Sequence, residues 1–151
     1  WDVHHGNGTQ DAFYEDSDVL FFSIHQSPLY PGTGARREGG LGAGAGYNLN
    51  APVPAGSVDE DYTRIFEETL IPAAREFSPD LVMISAGFDA HEDDPLAGMN
   101  VTTEGFGALT RLVRDIADEH CGGRIVSTLE GGYSLSGLSS SVVAHLEALT
   151  E

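Results

Sequence analysis

Two carboxylates and one imidazole carry the first chemical signal. In Trp1-Asp2-Val3-His4-His5, Asp2 and His4 are two positions apart, so in extended backbone their side chains share a face and converge on one point. Asp89 lies in Ser85-Ala86-Gly87-Phe88-Asp89, just past the apolar run Leu81–Ala86. In open parallel sheets ligands gather at the carboxyl ends of strands, where a residue so placed meets others. Two carboxylates and an imidazole make three ligands for Zn²⁺ with a fourth position left for water, the arrangement of a catalytic rather than a structural zinc site. Taken singly, an aspartate after a strand is more often a cap or turn former, and spacing alone leaves both readings open.

These residues need strands and helices to hold them. Val19–Ile24, Leu81–Ala86 and Arg124–Leu129 are short, β-favouring apolar runs bounded by turn formers, and they read as strands buried on both faces. Tyr47–Val53 is a weaker strand candidate. Between them, Ser57-Val58-Asp59-Glu60 reads as a capping box with Ser57 as N-cap, opening a helix that Pro72 should kink or split. A second helix opens at Thr102 or Thr103, carries Phe106, Leu109, Val113 and Ile116 at helical spacing, and ends at Gly122-Gly123. A third runs from about Leu138. Strand-then-helix repeats predict a three-layer αβα domain with a mostly parallel sheet. Gln26–Gly46 refuses this pattern, being rich in Gly and Pro without periodicity. Its Gly39–Gly46 run lacks the Lys-Ser/Thr of a phosphate loop and reads as a tight chain path around a pocket.

Composition narrows the classes. The 151 residues carry 7 Lys+Arg against 24 Asp+Glu, a net charge of −17. Such acidity argues against a nucleic-acid binder and favours cationic substrates or none in particular. With 40% hydrophobic residues the chain can bury a core, yet no apolar run approaches the ~18 residues of a membrane span. Cys121 is the one cysteine, which excludes an internal disulfide and suits a reducing, cytoplasmic setting. Its position at a helix end, with no base beside it, reads as inert. Chemistry borne on the first five residues predicts the C-terminal part of a larger catalytic domain.

The wording of the motifs is more specific than their spacing. Asp2-Val3-His4-His5-Gly6-Asn7-Gly8-Thr9-Gln10 resembles the metal-binding segment of the zinc-dependent histone deacetylase and acetylpolyamine amidohydrolase family, in its class II form. Ser23-Ile24-His25…Tyr30-Pro31-Gly32-Thr33-Gly34, Ser85-Ala86-Gly87-Phe88-Asp89-Ala90-His91 and Leu129-Glu130-Gly131-Gly132-Tyr133 follow in the family's order. The resemblance implies an arginase/deacetylase-like fold, present here as a partial domain, and removal of acetyl groups from acetyl-lysine. It implies zinc on Asp2, His4 and Asp89, and a phenol donor to the developing oxyanion in Tyr133. It also implies monovalent cations, K⁺ among them. One would be held by Asp2, His4, Ser23 and Ile24, the other by main-chain carbonyls of Phe13, Asp16, Val19 and Tyr47. Tyr30, Leu96, Gly131 and Gly132 would wall an acyl-lysine channel, while His5 and Asn7 would stand behind the ligands.

One family feature is missing. The general base belongs to an adjacent histidine pair upstream of this segment, and His4-His5 is not that pair because His4 serves the metal. General-base help is worth about 10²–10⁴-fold, so these residues alone are expected to be a weak catalyst or none. His25 is expected to pack or line the cavity floor, His91 to mimic a fourth ligand, and His120 and His145 to lie on helix surfaces. A binuclear manganese enzyme of the arginase type would need further aspartates where Gly6 and His91 stand, which excludes it. Acetylated polyamines remain an alternative substrate, and a silent acyl-lysine-binding scaffold an alternative from another class. Neither a membrane nor nucleic acid is expected as partner, and the sequence leaves self-association open.

Overall fold

A computed structural model describes all residues, 1–151. Four strands form two parallel pairs. In the first, β1 (Phe21–Gln26) pairs β2 (Asn48–Val53) with Phe21 opposite Asn48; in the second, β3 (Val82–Ala86) pairs β4 (Ile125–Leu129) with Val82 opposite Ile125. The Trp1–Val3 segment links the pairs. The Val3 carbonyl accepts from the Gln26 amide at 2.9 Å, and the Trp1 amine donates to the Ser85 carbonyl at 3.4 Å. The single sheet expected from the sequence is therefore split, because an irregular segment crosses where a strand would run.

The helices are α1 (Asn7–Ala12), α2 (Asp59–Ile65), α3 (Ile71–Phe77), α4 (Thr103–Cys121) and α5 (Leu135–Thr150). Thr102 caps α4 by accepting from the Gly105 amide, and Gly122 ends it in the left-handed region. The expected capping box lies one residue further on: Asp61, not Glu60, accepts from the Val58 amide, while Ser57 turns its hydroxyl to the Pro54 carbonyl. Pro72 splits its helix as expected. The turn before α3, Phe66–Leu70, widens to π geometry, which accommodates a ring that cannot donate. α5 begins three positions earlier than expected because Ser134 caps it through the Gly137 amide. α1 has no counterpart among the expected helices; its six polar and small residues carry no apolar period.

Between these elements, Ile24, Ala51, Tyr62, Phe66, Ile84, Phe88, Phe106 and Leu109 pack into one core. The β3–β4 pair departs from the expectation of burial on both faces. Ile84 and Ala86 pack inward, but Met83 is 73% and Val126 47% exposed, so no helix of this chain covers that face. No helix is long and apolar enough to cross a membrane. The Gly39–Gly46 run packs against the Tyr14–Asp16 backbone rather than around a pocket: Leu41 donates to the Tyr14 carbonyl at 2.8 Å, and a Cβ on Gly44 would collide with Tyr14 and Asp16.

Candidate metal centre

The loops after β3 and β4 are laced together at their carboxyl ends. Glu130 donates its amide to the Ala86 carbonyl at 3.0 Å and Phe88 to the Gly131 carbonyl at 2.8 Å. Phe88 is buried edge-on to Phe106 of α4, 5.1 Å between ring centres, which pins the residue before Asp89. Asp89 itself is fully buried, and one of its oxygens accepts from the Val3 amide at 2.7 Å. Its other oxygen lies 3.0 Å from Nδ1 of His4, and the same nitrogen is 3.1 Å from Asp2. Donor atoms of Asp2, His4 and Asp89 all lie within 4.8 Å of one another.

Two glycines make room for this cluster. A Cβ on Gly87 would overlap the Asp2 carboxylate, and a Cβ on Gly131 would overlap Asp89 and crowd Asp2. The Gly131 amide donates to Asp2 at 3.0 Å, and the His4 amide to the other Asp2 oxygen at 2.8 Å. Burial first, and then the Asp2 charge, pushes the Asp89 carboxyl up to about 6. Beneath the cluster, burial and the same two carboxylates hold the Tyr62 phenol in its protonated form. A buried carboxylate and a half-buried one facing the same imidazole nitrogen make a costly charge arrangement that a divalent cation relieves, so the donor set fits a metal ion.

The other candidate residues fall around this centre. Tyr133, 52% exposed, follows the Gly131 cradle by two residues, and its amide donates to Asp94 at 2.8 Å. The second Asp94 oxygen accepts from Leu96 at 2.9 Å, so one buried carboxylate clamps the backbones of Leu96 and Tyr133. Sequence reasoning missed Asp94, although Asp94-Pro95-Leu96 carries the signature of an Asx turn. Tyr30 is exposed, with its ring 6.4 Å from that of His4. Gly132 adopts φ 137°, and a Cβ there would press on Leu138.

His5 is buried, its Nδ1 paired with Thr33 Oγ1 at 2.7 Å and its Nε2 with Gln10 Oε1 at 3.0 Å, so neither nitrogen is free to act as a base. Asn7 differs from the expectation: its side chain is exposed at the start of α1, and only its amide turns inward, to the His5 carbonyl. Ser23 pairs with His25, and Ile24 is in the core. Of the main-chain carbonyls expected to hold a second cation, that of Phe13 accepts from Asp16 at 3.1 Å and that of Tyr47 from Phe21 at 2.8 Å. His91 lies outside the metal cluster, stacked on Phe106 and accepting at Nδ1 from the Asp93 amide. Cys121 is buried, and its thiol faces the Arg124 carbonyl. His120 is half-buried beside Glu119. His145 departs from the expectation of a surface position, being 4% exposed between α4 and β4.

His25 makes a test of the buried network. It is 1% exposed, with Ser23 at one nitrogen and the Gly34 carbonyl at the other, 3.0 Å from each. Burial, and then the neighbouring His5, lowers its pKa to about 4 from 6.5. Below pH 6.5 the unfolded chain therefore takes up a proton that the folded chain refuses. The stability contributed by this group is complete above 6.5 and is lost as pH falls towards 4, by up to about 1.4 kcal/mol per pH unit. Urea unfolding at pH 7 and pH 5 should show that slope, and His25→Phe should flatten it.

Fold and site together define an α/β domain of the arginase/deacetylase-like kind, in which candidate metal ligands gather where the loop after β3 meets the Trp1–His5 segment. The chain belongs to the histone deacetylase family: the histone deacetylase domain profile matches residues 1–149. It is 54% identical over 142 residues to the rice (Oryza sativa) protein named histone deacetylase 10, chloroplastic, covering 94% of this chain and 32% of that one. It is 50% identical over 149 residues to histone deacetylase 14, chloroplastic, of Arabidopsis thaliana, covering 99% of this chain and 35% of that one. The crystal structure of the HDA15 HD domain superposes with a TM-score of 0.93 at 44% identity, over 100% of this chain and 43% of that one. The chain thus spans about a third of the length of these two plant relatives.

Proposed function

We propose that this chain is the C-terminal part of a single zinc-dependent deacetylase domain that removes acetyl groups from acetyl-lysine in proteins and releases acetate. The observation that carries the reading is the cluster of Asp2, His4 and Asp89, packed against a glycine that no larger residue could replace and followed two positions later by Tyr133. Zinc bound there supplies a Lewis acid for the amide carbonyl and acidifies the hydrolytic water.

The chain's own groups do the rest. Asp2 and Asp89 would present to the metal carboxylates that are themselves held by the Gly131 and Val3 amides donating to them. Tyr133 donates its phenol proton in a hydrogen bond to the carbonyl oxygen as negative charge develops on it. Asp94 holds Tyr133 and Leu96 in one frame, with Leu96 and Tyr30 walling the acyl-lysine channel and Gly131 and Gly132 letting the substrate pass close to the backbone. Both nitrogens of His5 are engaged, so the base that accepts the water's proton comes from a histidine pair elsewhere in the domain. K⁺ at Asp2, His4, Ser23 and Ile24, and a second ion among the Phe13, Asp16, Val19 and Tyr47 carbonyls, would brace the ligand loops from behind. The buried free thiol of Cys121 suits a reducing compartment such as the cytoplasm, whereas the two plant relatives carry chloroplastic in their names.

Acetate release decides the matter. The domain carrying residues 1–151, loaded with zinc, should release acetate from an acetyl-lysine peptide, lose that activity to a chelator and regain it with added zinc. Preference for acetylspermidine over the peptide would redirect the substrate to polyamines. Retention of acetyl-lysine peptide without acetate release would identify a binding protein and overturn the enzymatic reading.

A further inference from the structure

His145 of α5 serves no part of the chemistry above, yet it is buried. Its ring is held at both nitrogens: Nδ1 lies 2.8 Å from Thr110 Oγ1 on α4, and Nε2 lies 2.9 Å from Ser127 Oγ on β4. So fixed, the ring meets two aromatic side chains. Trp1 stands edge-on to it at 5.4 Å between ring centres, and Phe88 lies at 5.9 Å. These are the residues immediately before Asp2 and Asp89, the two carboxylates of the metal cluster.

We propose that His145 is a positioning residue for the metal centre, an aromatic wedge that α4 and β4 hold against Trp1 and Phe88 so that Asp2 and Asp89 converge. The proposal rests on the metal-binding reading above. Its physical basis is that Asp2 and Asp89 approach each other against their mutual repulsion. Their backbones must therefore be held from behind, and packed side chains that do not compress supply that restraint. Trp1 also packs on Phe66, 6.4 Å between ring centres, and Phe88 on Phe106 at 5.1 Å, so His145 adds one shared contact to two residues that each have another aromatic neighbour.

Zinc affinity tests it, with Trp1, the single tryptophan of the chain, as an optical reporter. Two variants separate the ring from its tethers. His145→Gln keeps polar partners for Thr110 and Ser127 and removes the ring. His145→Phe keeps the ring; Thr110 still donates to the Phe106 carbonyl at 2.7 Å, and the exposed Ser127 turns to water. By competition with a chromophoric chelator, His145→Gln should bind zinc about tenfold more weakly, as for other groups that support metal ligands, and its Trp1 emission should shift before zinc is added. His145→Phe should recover most of the affinity. Ala148→Gly, which loosens the same helix at a fully buried site, should lower the melting temperature without moving zinc affinity. Equal affinity of His145→Gln and the parent, failure of His145→Phe to do better than His145→Gln, or an equal loss in Ala148→Gly would each overturn the positioning role. Absence of zinc binding by the parent chain itself would overturn the metal reading and this proposal together.

Discussion

Replacing Gly131 by alanine should strip the protein of its metal. The added methyl would occupy the space of the Asp89 carboxylate and press on that of Asp2, and the backbone amide of Gly131 is itself a donor to Asp2. Relief requires the β4 loop or one carboxylate to move, and either motion breaks the convergence of donors that metal binding needs. Because the Phe88 amide bonds to the Gly131 carbonyl, a shift of one loop drags the other. Zinc content after loading and desalting should fall from one per chain to none, as it should in Asp89→Asn, which removes a ligand without adding bulk. Retention of one zinc by Gly131→Ala would show that the ligand loops are slack. Retention by Asp89→Asn would remove Asp89 from the ligand set.

The second large effect concerns turnover rather than metal. Tyr133→Phe deletes one oxygen from a ring that is 52% exposed and whose backbone stays anchored to Asp94. Folding and zinc content should therefore be those of the parent. Loss of a fixed donor to a developing oxyanion costs about 10²–10³ in kcat, and the loss should fall on kcat more than on KM because the bond tightens in the transition state. Steady-state kinetics of the zinc-loaded domain on an acetyl-lysine peptide measure both. A change confined to KM would make Tyr133 a channel wall and nothing more.

Much of this arrangement was legible in the chain. The strands Leu81–Ala86 and Arg124–Leu129 announce themselves through β-branched apolar runs, and the helix from Thr103 to Cys121 through its cap, its period and its terminal glycines. Asp2, His4 and Asp89 could be gathered from strand spacing and motif wording, because the chemistry of a ligand set restricts residue type. What local sequence does not encode is contact across the fold. His145 reads as one polar residue on an amphipathic helix, and only the packing of α5 against α4 and β4 turns it inward. Gln10 likewise gives no local sign that its amide oxygen accepts from His5, Asn48 and Asn50 together. The openness of Met83 and Val126 runs against their apolar character, since a residue's hydropathy states a preference for cover and not whether cover is supplied.

The distance in sequence between the ligands bears on the fold as well as on catalysis. His4 and Asp89 meet across 85 positions, so an ion shared between them is a cross-link that closes most of the first half of the chain into a loop. In the unfolded chain such a closure is entropically costly, and the ion binds the folded form in preference. Free metal then acts as a ligand of the native state, raising the melting temperature with the logarithm of its concentration above Kd. A metal centre there would also be a clasp fastening Asp2 and His4 to the loop after β3, and starvation for metal would then loosen the protein as well as silence it.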